Sequence, residues 1–250
     1  MPQNRFASEG VFCSGPAIHF HPKNPSMKPR FLSLLALAAT AGALTLLTGC
    51  ETGTSVGGGS AYNPVAYKPH NPSAVRVKVS LSKQVVYVME GSKPLLVAAT
   101  NVGIPGHATP TGTYTIYKKE RDKRSQTYGF YRKNGVVTPA EHGHGSGDYV
   151  GYPMAFWCEF KSTYGFHQGY VWPVPRSHGC LRLHHNVAPK FYALVHEGTP
   201  VNIAQTQPED ATIGANVQRP TDYNDPDPAP SYMASSEVFA SPPGGGLVPY

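Results

Sequence analysis

A mostly β domain, with sheets packed around an aromatic core and one or two short helices, is the fold this 250-residue sequence predicts. Three observations predict it. Gly (26) and Pro (25) are abundant while charged residues make up 14%, a loop-rich balance unlike that of a helical bundle. Tyr (15) and Phe (10) supply bulky groups for packing between sheets. Short runs alternate apolar and polar residues with a period of two, as half-buried strands do, and Gly-containing turns separate them.

Residues 1–26 look foreign to the rest of the chain, and Met27 is a second plausible start. Over 27–49 a short basic head, Lys28 to Arg30, precedes the apolar run Phe31 to Leu47 and the small-residue site Leu47-Thr48-Gly49-Cys50. Those are the marks of an export signal. The run is short for a membrane-spanning helix, which needs about 20 apolar residues, and an anchor of that kind is the alternative. Leu-Thr-Gly-Cys resembles the bacterial lipobox, which implies lipidation of Cys50. Glu51 after it, rather than Asp, implies sorting to the outer membrane of a Gram-negative envelope. Residues 50–73 are rich in Gly, Ser, Thr and Pro without an apolar period and read as a flexible tether.

The segment 74–204 holds the regular elements. Val75-Arg76-Val77-Lys78-Val79 alternates strictly. Gln84 to Met89 and Leu95 to Thr100 flank the turn Glu90-Gly91-Ser92-Lys93 and read as a hairpin. After the turn Thr109-Pro110-Thr111-Gly112, Thr113 to Tyr117 alternates again. Lys118 to Lys133 is charged and aromatic, a solvated face or a patch for an anionic partner. The Gly- and His-rich stretch Glu141 to Tyr149 reads as a mobile loop over a cleft. Tyr152 to Phe160 reads as a buried aromatic strand. Asn186 is placed to cap a helix from Val187 to about Glu197, with Pro189 in its first turn and Gly198 at its stop. Thr199 to Ile203 is the last strand. Residues 205–250, rich in Pro, Ser, Asp and Gly, read as a disordered acidic tail.

Charge is uneven. Between Val75 and Ala204 fifteen Lys and Arg face seven Asp and Glu, whereas from Pro208 onward six acids face one Arg. A basic domain suits a polyanionic partner such as cell wall or membrane surface. Nucleic acid is not expected, because no phosphate loop and no basic stripe interleaved with stacking aromatics occurs. The four cysteines, at 13, 50, 158 and 180, do not form a disulfide framework. Cys158 reads as core, although a Cys158–Cys180 disulfide is conceivable outside the cytoplasm.

The chemistry concentrates in Ser177-His178-Gly179-Cys180-Leu181-Arg182-Leu183, with His167 thirteen residues before Cys180. A thiol beside an imidazole is the usual way to obtain a strong carbonyl nucleophile near neutral pH. Gly179 permits a tight turn that aims backbone amides at one point, as an oxyanion hole requires. Arg182 alternates with Cys180 along an extended segment and so shares its face; an arginine there grips a carboxylate through two hydrogen bonds. A structural salt bridge is the alternative for Arg182. For Cys180 the alternatives are a small buried hydrophobe or one ligand of a zinc set with His178, His184 and His185, which lacks the standard spacing.

Ser-His-Gly-Cys-Leu-Arg-Leu with its upstream His closely resembles the signature of the bacterial L,D-transpeptidase catalytic domain, the YkuD-type family. Thr109-Pro110-Thr111-Gly112 and Gly198-Thr199-Pro200-Val201-Asn202-Ile203 extend the resemblance over Val75 to Ala204. It implies a β-sandwich-like catalytic domain, Cys180 as nucleophile and His167 as base. The Gln168 carbonyl would orient the His167 ring, and the amides of His178, Gly179 and Cys180 would hold the oxyanion. Arg182, Ser177 and Gly169 would bind substrate or support the turn. This chain has His-Gln-Gly where the family commonly has His-Gly, and a short gap from His167 to Ser177, which leaves His144 and His178 as further candidates for the base. The resemblance also implies peptidoglycan stem peptides as substrate, a stem amine or a wall-attached protein as acyl acceptor, and no metal or organic cofactor. Water as acceptor would make a carboxypeptidase, and a non-catalytic wall-binding lipoprotein is the alternative outside enzymes. With the signal and lipobox, it places the protein in the bacterial envelope, facing the periplasm.

Overall fold

The computed structural model of the protein describes residues 62–240 and 246–250. The expected extension 1–26, the signal 27–49, Cys50 and the tether as far as residue 61 lie outside the described residues. Ten strands follow in order: β1 (Val75–Ser80), β2 (Val85–Glu90), β3 (Lys93–Asn101), β4 (Gly112–Thr115), β5 (Lys118–Lys133), β6 (Val136–Glu141), β7 (Asp148–Lys161), β8 (Tyr164–Gln168), β9 (Leu181–Leu183) and β10 (Pro200–Ala204). Two short helices, α1 (Ala188–Leu194) and α2 (Pro230–Met233), accompany them. The mostly β class with one or two short helices is therefore what the chain adopts.

The strands join in the order β4-β10-β1-β2-β3-β9-β8-β7-β5-β6. The sheet bends back on itself. Tyr117 N–H donates to the Glu159 carbonyl of β7, and the Tyr114 and Phe160 rings lie 5.3 Å apart. The two halves enclose one core. Val75, Val77, Val79, Val86 and Val88 come from one side, Cys158, Phe160, Phe166, Leu181 and Leu183 from the other, and Phe191 and Leu194 of α1 close it. The alternation read in β1 is the alternation of burial seen there, with Val75, Val77 and Val79 inside.

Four expectations change. The charged run Lys118 to Lys133 is one long strand, β5, which pairs with the aromatic β7 along two stretches separated by a register shift between Arg124 and Gly129. Its cations then reach backbone acceptors: Lys119 Nζ donates to the Tyr192 and Val195 carbonyls, each at 2.7 Å. Asn186 does not cap α1. Val187 occupies the cap position without a side-chain bond, and Asn186 Nδ2 donates to the Tyr62 carbonyl instead. The tether expected over 50–73 is packed from Tyr62 onward. β9 pairs only with Thr100 and Asn101, which leaves the first half of β3 with an open edge. Tyr67 N–H fills that edge by donating to the Leu95 carbonyl, Ala66 is buried, and the Tyr62 hydroxyl accepts from Ala99 N–H.

The fourth change is the tail. Residues 205–240 wrap the domain instead of lying free. Glu209 pairs with Lys78 at 2.5 Å. Asp210 accepts from the Tyr87 hydroxyl at 2.7 Å and the Ser80 hydroxyl at 2.8 Å. Arg124 of β5 donates to the Met233 and Ser235 carbonyls. Val248 N–H then donates to the Ala66 carbonyl, so the two ends of the described chain meet. Buried hydrogen-bonding partners, rather than an apolar period, order this segment.

Candidate active site

Three adjacent strands build the site. In the parallel pair β8–β9, His167 lies opposite Arg182 and Phe166 opposite Leu181. Opposed residues share a face and successive residues alternate. Phe166, Leu181 and Leu183 therefore enter the core, and His167 and Arg182 face the other way. Trp157 of β7 joins them, its ring 6.1 Å from that of His167. The same register continued one residue back sets Cys180 beside Gly165, whose N–H donates to the Cys180 sulfur. Cys180 and His167 are thus diagonal neighbours on one face, about 7–8 Å apart at the backbone, and among the described residues no hydrogen bond joins their side chains.

The turn before β9 is held from within. Gly179 has φ +110°, a left-handed conformation that favours glycine, and a Cβ there would sit 2.5 Å from the Tyr164 ring. Ser177 Oγ donates to the Cys180 carbonyl at 2.6 Å and accepts from Gly179 N–H at 3.0 Å. That second bond corrects one expectation. The Gly179 amide is occupied by Ser177 and is not free to hold an oxyanion. Among the described residues the amides of His178 and Cys180 have no acceptor. The Thr109-Pro110-Thr111-Gly112 turn supports this geometry directly. Buried Thr109 donates its hydroxyl to the Gly179 carbonyl at 2.9 Å and accepts from Gly103 N–H at 3.0 Å.

His167 is buried, with Nδ1 2.7 Å from the Gln168 carbonyl. A carbonyl only accepts, so Nδ1 carries the proton and Nε2 offers a lone pair. Burial first, and then the positive charge of Arg182, push the His167 pKa down to about 4, against the pull of the Gln168 bond. Burial also raises the Cys180 thiol, more than the Gly165 N–H and the charge of Arg182 lower it. The Sγ lies 3.6 Å from the Thr163 carbonyl. At neutral pH the pair therefore rests as thiol and neutral imidazole, not as an ion pair.

Arg182 makes no salt bridge and no guanidinium hydrogen bond among the described residues, which removes the structural salt bridge as its role. Its stem runs over Gly169, where a Cβ would stand 3.2 Å from the Arg182 side chain. The His178 ring is exposed and packs against His107 and Tyr128, at 4.9 and 5.0 Å. His144 is exposed and faces Glu141 at 3.6 Å. The loop that carries His144 is tied to its own hairpin, since Gly143 N–H donates to the Tyr131 hydroxyl. Cys158 is a free, buried thiol whose pKa burial raises to about 12, as befits core.

The zinc grouping is not assembled either. His184 and His185 meet Asp222 of the tail, with donor atoms within 4.8 Å of one another. His184 Nδ1 accepts from Asn186 N–H, so its Nε2 carries the proton and donates it to Asp222 at 3.0 Å. A histidine that binds metal donates from its other nitrogen. This one accepts there, and the contact is a hydrogen bond that fastens the tail.

Sequence reasoning passed over Asn101, Gln84, Trp172 and Arg176. Asn101 and Gln84 are buried and bond the carbonyls of Trp172, Pro173 and Val174. Nothing in the pattern of β3 announces that role. Trp172 and Arg176 carried a signal: an aromatic and a base on a Pro-stiffened loop just before the motif.

The chain is thus a mostly β domain that carries a cysteine and a histidine on one sheet face, with the histidine ring fixed by a backbone carbonyl. The family model of the YkuD L,D-transpeptidase catalytic domain matches residues 74–203, and the chain belongs to that family. No curated protein matches the sequence. Among solved structures, an L,D-transpeptidase from Stackebrandtia nassauensis is 22% identical, with a TM-score of 0.40, over 57% of this chain and 60% of that one. An L,D-transpeptidase mutant from Enterococcus faecium is 24% identical, with a TM-score of 0.40, over 52% of this chain and 50% of that one. One from Mycobacterium tuberculosis is 21% identical, with a TM-score of 0.40, over 52% and 57%. The chain thus spans half to three fifths of the length of these structures.

Proposed function

We propose that the protein is a peptidoglycan L,D-transpeptidase working through a thioester on Cys180. One observation carries the reading: His167 donates its Nδ1–H to the Gln168 carbonyl, which leaves the Nε2 lone pair free on the face that Cys180 shares. In the first step Nε2 removes the thiol proton as sulfur attacks the carbonyl between the third residue of a stem tetrapeptide and its terminal D-Ala. The amides of His178 and Cys180 receive the oxyanion. The intermediate collapses, the C–N bond breaks, and His167 returns the proton to the departing D-Ala amine. In the second step an amine attacks the thioester, loses a proton to His167, and regenerates the thiol. A second stem as amine gives a crosslink between third residues. The neutral resting pair suits this scheme, because the thiolate appears only as substrate is engaged. No step calls for a metal or an organic cofactor.

The proposed location is the bacterial envelope, with Cys50 lipidated and the domain facing the periplasm, on the strength of the basic head, apolar run and Leu-Thr-Gly-Cys site. Cys50→Ala is expected to give an unprocessed or soluble form. Membrane attachment of a correctly cleaved Cys50→Ala product would refute lipidation. The enzymatic reading is tested by incubating the protein with disaccharide-tetrapeptide and identifying products by mass spectrometry, beside Cys180→Ala. A dimer that has lost one D-Ala is the expected product. A tripeptide alone would make the protein a carboxypeptidase, and full biological activity in Cys180→Ala would make it a non-catalytic wall binder.

A further inference from the structure

The connection between β8 and β9 carries two groups that the thioester chemistry does not use. Trp172 and Arg176 lie on it, joined by Pro173-Val174-Pro175. The Arg182 guanidinium is 5.4 Å from the centre of the Trp172 ring, and the Arg176 guanidinium is 5.8 Å from the same centre. Among the described residues neither guanidinium has a carboxylate partner or a hydrogen bond. Elsewhere in the domain, Arg124 spends its guanidinium on three carbonyls. Two like charges gathered on one ring, one of them partly desolvated, are unfavourable until an anion neutralises them.

The loop is also built to hold its shape. Fully buried Asn101 donates to the Val174 carbonyl at 2.7 Å and the Trp172 carbonyl at 3.3 Å. Gln84 Nε2 donates to the Pro173 carbonyl at 2.7 Å. The amides of Arg176 and Ser177 both donate to the Val102 carbonyl. Such preorganisation lowers the ordering cost of binding. Arg182 lies two residues from Cys180 and on its face, and Arg176 shares the Trp172 ring with it.

We propose that Trp172, Arg176 and Arg182 form a subsite for two carboxylates of the donor peptide. Arg182 takes the terminal carboxylate, one residue beyond the scissile carbonyl. Arg176 takes the side-chain carboxylate of the diamino acid that supplies that carbonyl, and Trp172 is the floor between them. The preferred donor is accordingly a stem whose diamino acid keeps its side-chain carboxylate free, and amidation of that group selects against it. This rests on the transpeptidase reading for where the donor lies, but its test reads binding, not turnover.

The test titrates the whole protein carrying Cys180→Ala, by calorimetry, with two synthetic tetrapeptides. They differ only in whether the side-chain carboxylate of the third residue is free or a carboxamide. The free form is expected to bind about tenfold more tightly, the scale of one charge-assisted contact. Adding Arg176→Gln is expected to weaken the free form about tenfold and leave the amidated form as it was, while Arg176→Lys retains part of the preference. Arg176 is exposed, and thermal melts of each variant check that the fold persists. Equal affinity for the two peptides, loss of both alike in Arg176→Gln, or no binding of either would overturn the proposal. D-Ala release by the unmodified protein, measured alongside, decides the transpeptidase reading separately.

Discussion

At the scale of single residues, the resting protonation of His167 and Cys180, the proposed base and nucleophile, gives the proposal its pH dependence. Burial and the neighbouring Arg182 hold the His167 pKa at about 4, so the ring is neutral through the ordinary range and becomes protonated as pH falls through about 4. A protonated ring cannot accept the thiol proton. The acid limb of kcat/KM is therefore expected near pH 4, well below the ordinary histidine value of 6.5. A pH–rate profile checks it, and a midpoint between 6 and 7 would mean that His167 is not the base or is not buried during turnover. Gly179 makes the second residue-scale prediction. With φ +110° and the Tyr164 ring 2.5 Å from its absent Cβ, Gly179→Ala must shift the turn. A misplacement of about 1 Å at a reacting group costs on the order of a hundredfold in rate, and that drop in kcat is the expected outcome. Tyr164→Ala in the same chain removes the clash but not the φ strain, so it is expected to restore activity in part. No recovery at all would place the whole effect in the backbone.

At the scale of elements, the site is a register. β7, β8 and β9 put Trp157, His167 and Arg182 in one row, and the buried Thr109 clamps the turn from the side. Thr109→Val keeps the shape and removes both hydrogen bonds, which leaves the Gly179 carbonyl and the Gly103 amide unpaired. The expected cost is about 2–6 kcal/mol of stability, from about 1–3 kcal/mol for each of the two buried unsatisfied groups, together with a fall in kcat. Chemical denaturation and initial rates measure the two, while Thr109→Ser, which keeps the hydroxyl, is expected to behave nearly as the parent. Much of this level was legible beforehand. Strict alternation marked β1, the hairpin of β2 and β3 lay where its turn residues put it, and the spacing of Cys180 and Arg182 placed both on one face. The missing parts are those that period and motif do not encode. The Gly179 amide looked free because the Ser177 hydroxyl that takes it belongs to the same turn. The Asn186 cap failed because the helix starts one residue later, with Val187 at the cap position, and the Asn186 amide donates to the Tyr62 carbonyl of a segment read as tether. The length of β5 was hidden because its charges look outward while its backbone pairs with β7.

At the scale of the whole molecule, composition misled most over residues 205–250. Pro, Ser, Asp and Gly suggest a free chain, yet a few spaced anchors bind it. Lys78 meets Glu209, Asp210 holds Tyr87 and Ser80, His184 meets Asp222, and Arg124 receives Met233 and Ser235. Asp210 is the anchor with the clearest consequence. Burial works against its charge, but the Gln207 N–H and the hydroxyls of Tyr87 and Ser80 prevail and hold its pKa below the ordinary 3.8. A carboxyl whose pKa is lowered on folding stabilises the fold above the unfolded value, and that contribution is lost as pH falls through the folded one. The strap is thus expected to loosen in acid, below about pH 4. Asp210→Ala removes the carboxylate at every pH and strands the Tyr87 hydroxyl and the Gln207 amide, at an expected cost of about 2 kcal/mol. Removing everything after residue 204 goes further and uncovers the Val85, Tyr87 and Met89 face of β2. Thermal unfolding of the three proteins should rank the full chain above Asp210→Ala, and Asp210→Ala above the truncation. A truncation as stable as the full chain would return the tail to a passenger, whereas the expected ranking makes it a structural part of the domain, fastened across the sheet by side chains rather than by a core of its own.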